Sequence, residues 1–462
     1  MFIARQDELA KLNSFYESEG SGVAVVDGPI GMGKTTLVRH FCSDKNAIIY
    51  EAYETTSDHQ IKMISDAFNV QLSSFEDFCD YVSKKASTDK VLLVIDQYSN
   101  IVRADTNWDA TLFSYFKGPW ATLNVKIILM GDACILMDKY VSGKKSIWRD
   151  DISLKLTVDA FGFYDTCEFI NSIVGADKEI SDCDRVLYYG ITGGIPYNLR
   201  LVTGDIEADI KHPFLDVNAQ GVQTPQRGLS LELRELSYYN HMLAALAIGH
   251  NRVNQISAEV GKPKDVVVPY LNTLMAMNVC TKDTAITEIT NRKKTRYSIV
   301  NTSTLFWYKY IVPHMNMYCN GEVDKLYNLI MDNIDDYIQT VFIKVCGQCL
   351  EKLCKEGKYP FTIDVMGNWW VNDDEAGTTE GFDLVALGTT QGKQATVYCQ
   401  CYYNENPIEI AQLKSLIDKT KQVHRQGDAF YMVFAKNGFH DNAITVSSAI
   451  KNIMLVKLDD MI

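Results

Sequence analysis

The chain has 462 residues, 47% hydrophobic and 22% charged, which is enough apolar material for several cores and excludes a disordered or fibrous chain. Its 45 basic and 58 acidic residues leave a net charge of −13, so phosphate cannot be neutralised over most of the surface and any nucleic-acid contact must come from a local basic patch. No stretch of ~18 apolar residues occurs, the N-terminal MFIARQDELAKL is charged from residue 5, and twelve cysteines are scattered through the chain; these features predict a cytoplasmic protein with reduced thiols, no secretory leader and no membrane partner.

Taken in chain order, Gly22-Val-Ala-Val-Val-Asp27 reads as a short buried strand. It runs into Gly28-Pro29-Ile30-Gly31-Met32-Gly33-Lys34-Thr35, a full match to GxxxxGK[ST]. Thr36 opens Thr36–Cys42, whose apolar spacing is that of a helix. The strand, loop and helix order is what phosphate binding needs. Glycines let successive backbone N–H groups turn inward, and the helix N-terminus adds partial positive charge. Lys34 is expected to reach the β- and γ-phosphates of ATP or ADP, and the Thr35 hydroxyl to ligate Mg2+. Strands are expected over 46–53, Val91–Asp96, Val125–Met130 and 152–156. Asp96, at the end of a fully apolar run, supplies the second acidic element for magnesium. Alternating buried strands and helices predict a parallel sheet flanked by helices.

These residues, with Phe2-Ile-Ala-Arg5-Gln-Asp-Glu8-Leu9, Ile127-Ile-Leu-Met-Gly131, Thr192-Gly193-Gly194-Ile195-Pro196-Tyr197 and Phe306-Trp307-Tyr308, resemble the archaeal-type P-loop ATPases, relatives of the AAA+ and STAND ATPases found in archaea and bacteria. The resemblance implies that the segment around Arg5 helps enclose the adenine. It implies that Gly194 and Pro196 begin a helical lid, and that Arg149 touches the γ-phosphate of its own or a neighbouring subunit. Two departures stand out. Relatives place glutamate after the magnesium aspartate, where this chain has Gln97. An amide takes no proton, and general-base catalysis is worth roughly 10²–10⁴ in rate, or about 3–5.5 kcal/mol of barrier. Glutamine can still orient water, so the expectation is tight ATP binding with slow or absent turnover. Relatives carry a small neutral residue after Gly131, where this chain has Asp132. Either its carboxylate faces the γ-phosphate, repelling it unless protonated or paired, or it turns away to cap the following helix.

Further on, residues 212–228 read as a connector. Helices are expected over Leu233–Ile248, Val253–Val260 and 263–277, then two short extended stretches around Val279 and Thr295–Ile299. That is a winged helix-turn-helix. Its recognition helix opens with Lys262 and Lys264 but is otherwise apolar. Arg292, Lys293, Lys294 and Arg296 crowd the wing. DNA contact through those four is one reading, and it belongs to the alternative function of an active DNA-dependent ATPase in which Gln97 positions water; a solvated hairpin in a packing module of a nucleotide-dependent switch or scaffold is the other.

Residues 320–462 resemble a PD-(D/E)XK nuclease-like domain, with a helix over Asp335–Leu353 and strands around 368–370, 381–386 and 395–402. Asp383 is present. Gln400, Tyr402 and Ile343 stand where the resemblance implies glutamate, lysine and glutamate, so the nuclease is expected to be inactive. This region carries more acidic than basic side chains, which suits protein docking or self-association better than a DNA clamp. Trp369, Trp370, Tyr398, Tyr402 and Tyr403 are read as core, with interface anchors as the alternative. Cys346, Cys349, Cys399 and Cys401 could supply a zinc site, but helical spacing favours packing. The expected fold is α/β multidomain: a P-loop ASCE/AAA+-like core over 1–160, a helical lid over 161–211, connector and winged helix over 212–319, and a restriction-endonuclease-like domain over 320–462.

Overall fold

The computed structural model describes residues 2–132, 134–175, 178–219, 225–286, 295–373, 378–420, 427–450 and 452–462. The chain divides into two compact units, the first comprising residues 1–161, 195–198 and 223–236 and the second the remainder.

The first unit is built on five parallel strands: Gly22–Asp27 (β1), Ala47–Glu51 (β2), Val91–Asp96 (β3), Val125–Met130 (β4) and Ile152–Thr157 (β5). Their order is β2-β3-β4-β1-β5. Every residue of β1, β3 and β4 is buried, as largely apolar runs covered on both faces must be; the charged Lys126 of β4 donates to Ser18 Oγ at 2.7 Å. One face packs Val23, Leu93, Ile127 and Phe78 with their neighbours, and the other packs Ala24, Val94, Ile128 and Leu37. Between the strands run helices Lys34–Cys42, Ser57–Phe68, Phe75–Ala86, Tyr98–Ala104 and Asn107–Lys117. Ser74 and Asp77 close the third of these with a reciprocal capping box. All strands being parallel, β1 and β3 end at one edge of the sheet, where the phosphate loop begins and Asp96 stands.

One helix in this unit departs from expectation. Residues 212–228 read as connector, yet Pro225–Glu232 is helical. Proline at the first helical position loses no hydrogen bond, because that N–H has no intrahelical partner. The helix expected from Leu233 begins instead at Ser237.

The second unit holds helices Phe163–Val174, Asp182–Thr192, Ser237–Ala247, Val253–Val260 and Lys264–Ala276, and an antiparallel hairpin of Cys280–Thr284 (β6) and Thr295–Ile299 (β7). Val267, Leu271 and Leu274 form the buried face of the Lys264–Ala276 helix. Helix Asp335–Lys355 precedes a five-stranded sheet of order β12-β11-β10-β9-β8. Its strands are Thr362–Asp373 (β8), Thr378–Thr390 (β9), Lys393–Tyr402 (β10), Asp428–Ala435 (β11) and Ile453–Lys457 (β12). β8, β9 and β10 pair antiparallel, and β10, β11 and β12 pair parallel. Trp369, Trp370, Phe382 and Tyr398 lie in its core. Cys346, Cys349, Cys399 and Cys401 are buried, and among the described residues no group of three or more His, Cys, Asp or Glu side chains is placed to hold a metal ion. Among those residues too, no helix is long and apolar enough to cross a membrane.

Candidate nucleotide site

β1 ends at Asp27, and the chain then turns through a loop that only glycine can make at its key points. Gly28 has φ +141°, and a Cβ there would stand 2.3 Å from the Val158 carbonyl oxygen. Gly33, at φ +84°, caps the Lys34–Cys42 helix. The result is a concave run of backbone at a helix N-terminus, the arrangement that binds phosphate. The loop is held from two sides. Tyr197 N–H donates to the Gly31 carbonyl at 3.2 Å, and Pro196 lies against Gly33.

Lys34 is buried. Its ammonium donates to the Gly28 and Pro29 carbonyls, both at 2.7 Å, and pairs with Asp132 Oδ1 at 2.5 Å. Thr35 Oγ1 donates to Asp96 Oδ2 at 2.8 Å, and the Gln97 N–H donates to Asp96 Oδ1 at 2.8 Å. Burial pushes the Asp96 carboxyl above the usual carboxylate range, with the Thr35 hydrogen bond opposing the rise. A hydroxyl and a carboxylate within hydrogen-bonding distance beside a phosphate cradle form a hard-oxygen donor set that fits Mg2+. Gln97 adopts the left-handed conformation, φ 55°, a strain of roughly 1–2 kcal/mol for a residue with a Cβ. Its side-chain amide donates to Asp132 Oδ2 at 2.6 Å. Asp132 therefore faces inward, between Lys34 and Gln97. The helix it might have capped is capped by another residue: Glu232 accepts from the N–H groups of Cys134 and Ile135, at 3.1 and 2.5 Å.

Residues 2–202 match the family model described as "ATPase domain predominantly from Archaea". The chain carries an archaeal-type P-loop ATPase domain. Residues 307–413 match a second model, described as "Archaea bacterial proteins of unknown function". An uncharacterized protein of Methanocaldococcus jannaschii is 24% identical over 405 residues, 85% of this chain and 86% of the relative. Among solved structures, a Walker-type ATPase of Pyrococcus abyssi is similar with a TM-score of 0.46 and 17% identity, over 67% of this chain and 96% of that one. The ORC2 protein of Aeropyrum pernix, solved as ADPNP-ADP complexes, gives 0.45 and 10%, over 71% and 95%.

Within the ATPase domain, the remaining predicted residues are placed as follows. Arg5 is not free to cover a base with its guanidinium. That group donates to the carbonyls of Met32 (3.1 Å) and Asp159 (2.5 Å), pairs with Glu8, and stacks on Phe161 at 4.6 Å. It is a strut between the phosphate loop and the segment after β5. Ile30 is half-buried, Met32 buried and Thr36 exposed. Gly194 has φ +64° and follows Gly193, which is packed against Asn301 and leaves no room for a side chain. Arg149 is exposed and precedes β5. Since β5 begins beside Val23 and ends beside Asp27, Arg149 lies beyond the edge opposite the phosphate loop, about 13 Å of strand away. That register removes the same-subunit contact with a γ-phosphate from the two expected for Arg149.

Arg292, Lys293 and Lys294 lie outside the described residues. Arg296 is half-buried, its guanidinium 4.4 Å from the Trp370 ring. In the C-terminal sheet, β9 and β10 bring Asp383 and Gln400 together. Asp383 Oδ2 accepts from the Gln400 amide and from the Cys401 N–H at 2.8 Å, and burial raises its pKa.

Glu232 was invisible in the sequence, being 98 and 97 residues from its partners and lying between the connector read over 212–228 and the helix read from Leu233. That Asp132 faces inward was one of two alternatives left open there; its pairing with Lys34 was not foreseen.

Proposed function

We propose that this chain is an ATP-binding AAA+/STAND-type switch with slow or absent hydrolysis, its C-terminal sheet domain being a nuclease-shaped effector without nuclease chemistry. The observation that carries the reading is the hydrogen bond from Gln97 to Asp132. The residue beside the magnesium aspartate accepts no proton, and its amide is already engaged with a carboxylate rather than presented to water. Lys34 and the backbone from Gly28 to Gly33 would hold the phosphates, and Thr35 and Asp96 would hold Mg2+, which supplies charge neutralisation at the β- and γ-oxygens. The binding free energy would then appear as a shift between conformations, limited by the difference in affinity for them. Arg149 fits contact with a neighbouring subunit in a self-assembled form.

The effector reading is supported by the order helix, three antiparallel strands, helix and parallel strand across 335–435, together with Gln400 donating to Asp383 where a metal-holding carboxylate would be needed. The three-helix segment from Ser237 with its hairpin is read as a winged helix serving as a spacer. Ile286 N–H donates to the Asn368 carbonyl and Arg296 stacks on Trp370, contacts that tie the hairpin to the adjoining sheet.

The test is phosphate release under multiple turnover, with the mass of copurifying nucleotide as a companion. Wild type should release phosphate slowly and retain intact triphosphate. Gln97→Glu should raise the rate by roughly 10²-fold. Robust turnover by the wild type, or no gain in the variant, sinks the switch reading.

A further inference from the structure

We propose that the second compact unit carries a binding site of its own, a cleft that takes a small zwitterion of the apolar α-amino-acid type, with its carboxylate on Lys344 and its ammonium on Asp283. The inference goes beyond the nucleotide reading and does not depend on it.

The cleft has a volume of about 1420 Å³ and lies between the β6–β7 hairpin, the helix Asp335–Lys355 and β8. All of its walls belong to the second unit. Lys344 lines it from the helix, and its ammonium donates to the Val300 carbonyl just after β7. An ammonium carries three N–H groups, so two are left over. Among the described residues, no carboxylate stands within ion-pair distance of it. Asp336 and Glu351 line the cleft from the same helix, but each lies two turns away, about 10–12 Å along the axis. Burial pushes the Lys344 amine down to about 8, with the nearby Asp283 charge opposing the fall. At pH 7 the amine is therefore still mainly charged. A cation drawn out of water without an anion is unfavourable, because buried charges are stable only when paired.

Asp283, on β6, is the complementary half. It lines the same cleft, and its carboxylate accepts from Ser298 Oγ at 3.0 Å and from Thr281 Oγ1 at 3.5 Å. Both donors are neutral hydroxyls, and among the described residues no cation reaches it for an ion pair. The two charges are close enough to feel each other and too far apart to meet. A ligand with a carboxylate and an ammonium on one carbon completes both, each end finding its opposite charge through groups that have hydrogen-bonding capacity to spare. A simple anion such as phosphate would satisfy Lys344 alone and be repelled by Asp283. The remaining walls select the body of the ligand. Leu305, Ile343 and Met366 are half-buried there, and Leu246 and Leu384 are buried. Apolar walls around a few convergent polar groups are how small-molecule sites are built, and an apolar side chain gains by leaving water against them.

The experiment is calorimetric titration of the full chain at pH 7 with L-leucine and L-phenylalanine, each beside its amide, which lacks the carboxylate, and its N-acetyl form, which lacks the ammonium. Millimolar affinity is expected for so small a ligand. Wild type should bind at least one of the two amino acids about tenfold more tightly than either of its analogues. Lys344→Met should remove the preference over the amide and keep the preference over the N-acetyl form. Asp283→Asn should do the reverse. Residues with a purely structural role would weaken all three forms together and leave the preferences alone. A wild type that binds the three forms alike, or binds neither amino acid at tens of millimolar, overturns the proposal without any variant having to fold. Preferences unchanged in both variants overturn it as well, since they place the amino-acid site elsewhere.

Discussion

Asp96 has to be ionised to hold a cation and buried to sit at the end of β3, and these demands oppose each other. Burial raises its carboxyl above the usual carboxylate range, so the folded protein takes up that proton more readily than the unfolded chain. The corresponding stability is full at low pH and is lost as pH rises through the raised value; at neutral pH the ionised group is a net cost. Asp96→Asn is therefore expected to raise Tm at pH 7 in magnesium-free buffer and to abolish the magnesium-dependent part of nucleotide affinity. Scanning calorimetry and titration with and without EDTA check both halves. A fall in Tm would mean that the hydrogen bonds from Thr35 and Gln97 outweigh the desolvation. The same conflict is seen at Lys34, whose buried ammonium is stabilised only because two carbonyls and Asp132 surround it.

Single half-buried acceptors join whole elements in this fold. Asp109, on helix Asn107–Lys117, accepts from the hydroxyl of Tyr98, on helix Tyr98–Ala104, and from Trp148 Nε1 at 2.7 Å, just before β5. Trp148 and Tyr98 are fully buried. Asp109→Ala leaves both donors without a partner, at about 1–3 kcal/mol each, and should lower the urea midpoint of the chain by a corresponding amount without changing nucleotide affinity at saturation. A loss under ~0.5 kcal/mol would show that water replaces the carboxylate. This division explains what was legible beforehand. β1, β3 and β4 were readable to the residue because a strand buried on both faces must be a largely apolar run. The phosphate loop was readable because positive-φ glycines and a helix start impose a local pattern. Pins such as Asp109–Trp148, Glu232–Cys134 and Asp132–Lys34 join residues 39 to 98 positions apart, and no local periodicity records them. The Pro225–Glu232 helix was hidden for a related reason: its turn-forming neighbours dominate the local composition, and its contact through Glu232 is with a distant loop.

At the scale of the whole molecule, an acidic chain of net charge −13 can grip nucleic acid only where basic residues cluster, and the one such cluster in the sequence is Arg292, Lys293, Lys294 and Arg296. These four are not equivalent. Arg296 is stacked on Trp370, and burial lowers its pKa, so its guanidinium stabilises the fold around the hairpin instead of standing free for phosphate; such a desolvated cation–π contact is worth up to about 2 kcal/mol. If DNA binds, the other three should account for the salt dependence. Replacing Arg292, Lys293 and Lys294 together by alanine should flatten the log–log slope of affinity against salt by about 2.7, since each phosphate contact contributes about 0.9. Arg296→Ala should leave that slope within half a unit and lower Tm. Fluorescence anisotropy with a labelled duplex between 50 and 200 mM salt, beside calorimetry of each variant, separates the two roles. A slope loss of a full unit in Arg296→Ala with unchanged Tm would assign that arginine to the nucleic acid, and undetectable binding at the lowest salt would leave the hairpin as a spacer alone.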